Sequence, residues 1–377
     1  MLNKEEIARY SRHLLLPEIG ITGQEKFKKA KVLVIGAGGL GCPALQYLTA
    51  MGIGEIGIVD FDKVEESNLQ RQILYSVEDI GKLKTEVAIS KLSKQNPFVK
   101  FNSYPFRLDN QNALILFSEY DLIIDGTDNF ATRYLVNDAC VLINKPLVYG
   151  SIYKFEGQVS VLNYSTGEGK SGPTYRCLFP IPPISGSVPN CSEIGVLGIL
   201  PGIIGTLQAA EAIKIIAGIG EPLSGKLLLF DALSMSFQII EIARNNEWIN
   251  QAPKNKEEFL KTDYEYFCGN RNIESSIKSI SVNELKLIIE NKADIQLLDV
   301  REPFEHPQVD SLIDLQIPLS ELSSNSHLIS KNKKIIVFCK SGVRSKRAIE
   351  VLENEFGFTN LHNLEGGIMA WIKQFSN

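Results

Sequence analysis

Two short stretches of this chain hold residues whose types and spacing can do chemistry. The first is GAGGLG at Gly36–Gly41, which fits G-x-G-x-x-G, with Asp60 nineteen residues beyond Gly41. Glycines so spaced let the backbone approach a phosphate at a helix N-terminus, and a carboxylate ending the next strand can hold a ribose hydroxyl pair. The loop lacks GK[ST], so it is not a P-loop. Beyond it, DFDKVEESNLQRQ supplies Asp62, Asn68, Arg71 and Gln72, GKLK supplies Lys84, and DGTDN supplies Asp128 and Asn129. Arginine plus lysine can neutralise a triphosphate, and an aspartate can hold Mg²⁺. This is equipment for phosphate-bond chemistry. The glycine loop alone would also allow an NAD-dependent oxidoreductase, but no acid/base pair for hydride transfer is visible.

The second stretch is CKSGVRS at Cys339–Ser345, after the apolar run IIVF. A cysteine between a strand and a glycine-containing helix entry has backbone N–H groups aimed at its sulfur. Arg344 is expected to add positive charge. The spacing is C-x₄-R, one residue shorter than the C-x₅-R loop of a cysteine phosphatase, and it suits sulfur rather than phosphate.

These residues need a scaffold. KVLVIGAGGLG, CPALQYLTAMG and EIGIVDFD read as strand, helix, strand, the right-handed βαβ unit. The pattern continues through KTEVAISKLSKQ, KFNSYPF, NALILFSEY, DLIIDGTD, TRYLVNDACVLI and PLVYGS. Short, unalternating apolar strands suit a parallel sheet covered on both faces. YKFEGQVSVLNY reads as antiparallel strands, and residues 165–192 as irregular chain. Residues 246–276 are polar and read as a linker. From about Ile277 a second, smaller α/β unit begins.

The 377 residues allow two to three domains, and the ordinary hydrophobic content excludes a disordered or disulfide-scaffold protein. Net charge is −5 with no basic stripe, so no nucleic-acid partner is expected. The longest apolar stretch, Ile194 to Leu207, contains Pro201 and is too short to span a bilayer, so no membrane role is expected. MLNKEEIARY has no apolar signal core. A cytoplasmic protein with reduced thiols is expected.

The segments RYSRH, VLVIGAGGLGCP, IVDFDKVEESNLQRQ, GKLK, DGTDN and NCSEIGVLGILPGIIGTLQAAEAIKI, in this order, resemble the MoeB/ThiF family, bacterial relatives of ubiquitin-activating enzymes. The resemblance covers about the first 250 residues. It implies binding of ATP·Mg²⁺ and adenylation of the C-terminal Gly-Gly of a small ubiquitin-like sulfur carrier. It places Gly38, Gly39 and Gly41 at the phosphates, Asp60 at the ribose, and Asn68, Arg71 and Lys84 at the phosphates. Asp128 becomes the metal ligand, beside Asn129. Arg12 matches the arginine that reaches into a partner subunit's site, which implies a homodimer. Cys191 in VPNCSEIGV matches the family's conjugating cysteine.

The C-terminal hundred residues resemble a rhodanese domain, through LLDVRE, IPL, CKSGVRS and EGGIMAW. That resemblance makes Cys339 the persulfide carrier, with Asp299 and Arg301 supporting the loop. A sulfur donor such as a cysteine desulfurase is implied. The expected fold is therefore α/β. A Rossmann-like adenylation domain (1–245), with a mostly parallel sheet and an antiparallel extension, precedes a linker and zinc-lobe remnant (246–276) and a small α/β rhodanese domain (277–377). The alternative is carrier activation with a rhodanese domain used only for docking.

The MoeB/ThiF family commonly holds a structural zinc between two CxxC pairs. Here the segments read TYRC and EYFC, leaving Cys177 and Cys268 beside Thr174 and Glu265. Threonine is a poor zinc ligand, so no zinc is expected. Cys42 and Cys140 lie in helix patterns and read as core packing.

Overall fold

The computed structural model describes residues 1–165, 171–182, 195–268 and 277–375. The chain divides into two units, Met1–Gly269 and Asn270–Asn377.

The first unit is built on an eight-stranded sheet, in the order β3-β2-β1-β4-β5-β6-β7-β8. Strands β1 (Lys31–Ile35), β2 (Glu55–Val59), β3 (Lys100–Tyr104), β4 (Leu122–Asp125) and β5 (Leu147–Tyr153) pair in parallel. Strands β6 (Glu156–Leu162), β7 (Lys226–Asp231) and β8 (Ser236–Glu241) extend it antiparallel. The expected sheet is thus the observed one. β1 and β4 carry no polar residue except at their ends, because helices cover both faces.

The helices of this unit are α1 (Lys4–Arg9), α2 (Ser11–Leu14), α3 (Gly20–Lys29), α4 (Gly41–Met51), α5 (Lys84–Gln95), α6 (Ala113–Ser118), α7 (Phe130–Leu142), α8 (Tyr175–Leu178) and α9 (Leu200–Ala217). The first two helices are separated at Tyr10. That residue is buried, and its hydroxyl accepts from Asn96 Nδ2 at 2.8 Å. α9 is apolar on nearly every side, yet Gln208 and Glu211 are buried within it. Gln208 donates to the carbonyls of Asp125 and Val148, and Glu211 accepts from Leu223 N. It is a core helix stitched to the sheet. Cys42 and Cys140 are fully buried in the two cores flanking the sheet.

The polar stretch expected to be linker differs from that reading. It carries three short helices, α10 (Asn246–Ile249), α11 (Lys256–Lys261) and α12 (Tyr264–Phe267), each N-capped by an Asn or Asp. Composition concealed this because few side chains do the anchoring. Phe259 and Tyr264 are buried against α7, and Asn110 holds three carbonyls between Phe259 and Thr262.

The second unit has a five-stranded, all-parallel sheet, β11-β10-β12-β13-β9. Its strands are β9 (Ser279–Ile280), β10 (Ile295–Asp299), β11 (Leu315–Gln316), β12 (Lys334–Phe338) and β13 (Leu361–Leu364). Helices α13 (Val282–Glu290), α14 (Leu322–Asn325), α15 (Val343–Phe356) and α16 (Gly367–Phe375) flank it. Core residues of β10 and β12 alternate between the two faces, Leu298 and Val337 on one, Leu297 and Ile336 on the other.

Candidate functional site

In the first unit a pocket opens at the carboxyl ends of β1, β2 and β4. The strand order reverses between β1 and β4, and open sheets bind ligands at such switch points. The glycine loop forms one wall. Gly36 has φ +89°, and a Cβ on Gly41 would lie 1.9 Å from the Gly36 carbonyl oxygen. Gly41 therefore permits close strand–helix packing and does not itself line the pocket, whereas Gly38 and Gly39 do.

Asp60 closes the end of β2. Its carboxylate accepts N–H bonds from Ala37 and Asp62, both at 2.8 Å, which locks the glycine loop to the second strand. Burial pushes the Asp60 carboxyl up, and the nearby Lys84 ammonium and these two N–H groups only partly offset it. Lys84 is 5% exposed, and its Nζ lies 3.0 Å from Asp62 Oδ2. The two segments are stapled by an antiparallel bridge between Lys63 and Leu83 and by the Lys84 N–H donating to Asp62 O at 3.0 Å. A buried ammonium is thus held at the pocket by a half-exposed carboxylate, a position from which a phosphate can take it over.

Arg71, half-buried, lines the pocket while one of its nitrogens donates to Ser67 O at 2.9 Å. Asp128 and Asn129 line the opposite wall, both exposed, and Asn129 N-caps α7 through Thr132 N at 2.9 Å. Gly38, Gly39, Asp60, Arg71, Lys84, Asp128 and Asn129 therefore converge on one pocket. Three expected residues do not line it. Gly41 packs behind it, Asn68 is buried with its Oδ1 accepting from Glu65 N at 3.1 Å, and Arg12 is exposed on α2. Cys191 lies outside the described residues.

Two pocket residues were missed by sequence reasoning. Asp62 sat in the quoted motif without a role. Arg133, buried one turn into α7, donates to Thr127 O at 2.9 Å and lies over the rings of Phe130 and Tyr149. Buried Asp125 has its carboxyl pushed up by burial, with Arg133 pulling it back. The readable signal was an arginine four residues after Asn129, on the helix that Asn129 caps.

At the segments corresponding to the zinc ligands, Cys177 and Cys268 make other contacts. Cys177 Sγ accepts N–H bonds from Thr174 and Asn245, each at 3.4 Å, and Glu265 is paired with Arg107 at 2.6 Å. Burial pushes the Cys268 thiol up to about 12. No group of three potential metal ligands occurs among the described residues. Arg176 ties this lobe together. It is 2% exposed and grips Asp138 through Nε at 2.9 Å and a terminal nitrogen at 2.7 Å. Tyr264 donates to the same carboxylate at 3.0 Å, and the guanidinium lies over Tyr134 and Phe267.

In the second unit Cys339 follows β12 and is 1% exposed. Gly342 N–H points at its Sγ from 3.2 Å, and Ser345 Oγ lies 3.6 Å from it. Gly342 has φ +92° and is the N-cap of α15, so the helix entry itself faces the sulfur. A Cβ on Gly367 would sit 2.4 Å from Cys339 O and one on Gly366 2.6 Å from Ala370 Cβ, which explains the paired glycines of EGGIMAW. Arg344 is committed elsewhere than expected. Its guanidinium makes a two-pronged pair with Glu305 at 2.5 and 2.6 Å. Burial pushes the Glu305 carboxyl up, but the Arg344 bonds and the Glu302 N–H outweigh this and hold it below the usual value. Asp299 and Arg301, fully buried, pair with each other, and Arg301 also holds Pro307 O at 2.7 Å.

Known proteins match these two units. The ThiF family model matches residues 10–250 and the Rhodanese-like domain model residues 281–374. A probable adenylyltransferase/sulfurtransferase MoeZ of Mycobacterium tuberculosis is 46% identical over 379 aligned positions, covering 99% of this chain and 94% of that protein. A sulfur carrier protein adenylyltransferase of Thermus thermophilus is 53% identical over 270 positions, 71% of this chain and 98% of that one. The adenylyltransferase and sulfurtransferase MOCS3 of Arabidopsis thaliana is 41% identical, covering 98% of this chain and 84% of its own. Among solved structures, E. coli MccB with ATP superposes with a TM-score of 0.54 at 26% identity, over 65% of this chain and 73% of that one.

Proposed function

The chain belongs to the ThiF family, with a rhodanese-like domain at its C-terminal end, and we propose that it converts the C-terminal Gly-Gly carboxylate of a ubiquitin-like sulfur carrier into a thiocarboxylate. It is an adenylyltransferase and a sulfurtransferase. The observation that carries the reading is the convergence of the glycine loop, Asp60, Arg71, Lys84 and Asp128 on one switch-point pocket.

In the first half-reaction the carrier carboxylate attacks the α-phosphorus of ATP and pyrophosphate leaves. The attacking carboxylate is already ionised at pH 7, so positioning and charge stabilisation suffice. Gly38 and Gly39 give the phosphates a close approach, with Gly41 holding the loop's shape. Asp60 holds the ribose. Arg71 and Lys84 take up phosphate charge, Lys84 by exchanging Asp62 for the nucleotide. Asn68 can join them through its amide Nδ2 while its Oδ1 keeps the Glu65 N–H. Mg²⁺ takes one or two carboxylates together with substrate phosphates. The exposed Asp128, with Asn129 beside it, fits that role better than Asp62, which is paired. The metal would neutralise charge on the leaving pyrophosphate. We assign Arg12 to the second subunit's site in a homodimer, which its exposure on α2 permits. We further infer that the chain binds no structural zinc and acts in the cytoplasm.

In the second half-reaction a persulfide on Cys339, loaded by a donor such as a cysteine desulfurase, attacks the acyl-adenylate carbon. AMP departs and an acyl disulfide remains. Attack by the Cys191 thiolate on the Cys339 sulfur breaks the S–S bond. It frees the carrier thiocarboxylate and leaves a Cys191–Cys339 disulfide, which an external dithiol reduces. The Gly342 N–H facing the sulfur favours this over a purely docking role for the second unit.

Carrier-dependent ATP–pyrophosphate exchange tests the first half-reaction, with candidate carriers supplied one at a time. Exchange with one carrier is expected. Tight ATP binding without exchange for any Gly-Gly carrier would overturn the reading.

A further inference from the structure

The Ser345 hydroxyl stands between two acceptors. Its oxygen is 2.7 Å from Asn363 Oδ1 and 3.6 Å from Cys339 Sγ. All three side chains are essentially buried, Ser345 at 0% and Asn363 and Cys339 at 1% exposure. A hydroxyl has one proton to donate. When it goes to Asn363 the serine oxygen is left as an acceptor, able to receive the cysteine S–H. When the sulfur is ionised the same hydroxyl can serve it only by abandoning Asn363. The backbone holds both partners in place. Asn363 sits in β13, its N–H donating to Lys278 O at 2.8 Å, and Ser345 lies in the first turn of α15.

We propose that Asn363 is a positioning residue for the sulfur chemistry, acting through Ser345 by holding that hydroxyl's proton away from the Cys339 sulfur until a charge develops there. The idea rests on Cys339 being the sulfur-bearing residue. The charged groups around the loop are the Asp299–Arg301 pair ending the neighbouring strand, the Glu305–Arg344 pair, and the exposed Lys340 and Glu365. In the absence of Asn363's acceptor, the serine proton is freed to serve the sulfur.

The test measures the rate at which methyl methanethiosulfonate modifies Cys339 in the full-length protein at fixed pH, read on the Cys339 peptide by mass spectrometry. Asn363→Leu should speed modification about fivefold and Ser345→Ala slow it by a similar factor, the size of one net hydrogen bond. Asn363→Asp keeps the acceptor and should react no faster than wild type. In the Ser345→Ala background, Asn363→Leu should have no effect. Faster modification in both single variants would mean that the loop had merely opened, and would overturn the proposal. So would an Asn363→Leu effect that survives without Ser345. Thermal melts identify any variant that has lost its fold, and the Asn363→Asp comparison then stands in its place. Failure of the underlying reading looks different, because Cys339→Ala would then still pass sulfur to the carrier.

Discussion

Both candidate sites lie at the carboxyl ends of parallel strands, and under the proposed reaction both hold negative charge, yet they are built from different parts of the chain. The switch-point pocket uses side chains carried by separate elements. Asp60 and Asp62 follow β2, Lys84 opens α5, Asp128 follows β4 and Arg133 lies in α7. The cysteine loop uses local backbone. Gly342 N–H and the entry of α15 face the sulfur, while the one arginine of the loop is tied to Glu305. A polyphosphate is large and multiply charged, so it needs cations gathered from several places. A single sulfur is small and fits one turn of chain. Charged side chains should therefore matter individually in the first site and little in the second, where the cysteine and the neutral Ser345–Asn363 pair carry the side-chain dependence.

The sharpest separation comes from Cys339→Ala. Sulfur delivery to the carrier should vanish while carrier-dependent pyrophosphate exchange stays within about twofold of wild type, since no group of the pocket is touched. Loss of exchange with sulfur loading retained would break the division of labour. Next in size is Lys84→Met, which removes a buried cation from the pocket. A loss of about 10²–10³ in exchange kcat is expected. The matching change in the other site, Arg344→Met, should cost sulfur uptake no more than about threefold. Equal losses from the two substitutions would erase the contrast.

The side-chain strategy also holds the lobe where TYRC and EYFC meet the core, with no reaction to serve. Arg176→Met strands the buried Asp138 carboxylate and should lower the stability of the first unit by about 3–5 kcal/mol, read from its urea transition. A chelator should leave that transition unmoved. A chelator-sensitive midpoint would mean that a metal, and not the ion pair, holds the lobe.

These features were unequally legible in the sequence. The parallel sheet could be read because its strands are short apolar runs punctuated by glycines, and the pocket because its motif residues sit at strand ends. The Arg344–Glu305 pair was not legible. Glu305 lies in a loop 39 residues away, and only the folded chain brings the two together. The same holds for Arg176 and Asp138, 38 residues apart, an ion pair that spacing does not announce. The polar segment after Asn245 misled because Phe259 and Tyr264, two residues among many charged ones, supply its anchoring. Asn68 and Gly41 were assigned to phosphates from their motifs, whereas their observed contacts shape the loops around the pocket.

Backbone dependence in the second site is tested by Gly342→Ala. The position has φ +92°, and a Cβ there would approach Leu364 O to 3.2 Å. A non-glycine residue in that conformation costs about 1–2 kcal/mol. The expected result is a small drop in the second unit's stability together with slower sulfur uptake, because the N–H that faces the sulfur shifts with the helix entry. Unchanged uptake would show that the loop does not depend on this N–H.

The smallest effect concerns the support of Lys84. Asp79, just before GKLK, is nearly buried and accepts from Ser76 N at 2.9 Å, from Ser76 Oγ at 2.8 Å and from Lys91. Burial alone would push its carboxyl up, but the Lys91 ammonium and the Ser76 groups outweigh this and lower it to about 2. A carboxyl depressed in the folded state stabilises it at pH values above its unfolded pKa of about 4, and that contribution fades as pH falls from there towards 2. Asp79→Asn should therefore cost about 1 kcal/mol at neutral pH and progressively less as pH falls from about 4 through 2, read from first-unit melting across that range. The loosened turn should raise the KM for ATP slightly and leave sulfur uptake at Cys339 untouched. Side-chain dependence would then extend one layer beyond the groups that face the nucleotide. A pH-independent penalty would mean that Asp79 acts by shape alone and that the pocket's electrostatic dependence ends at Lys84.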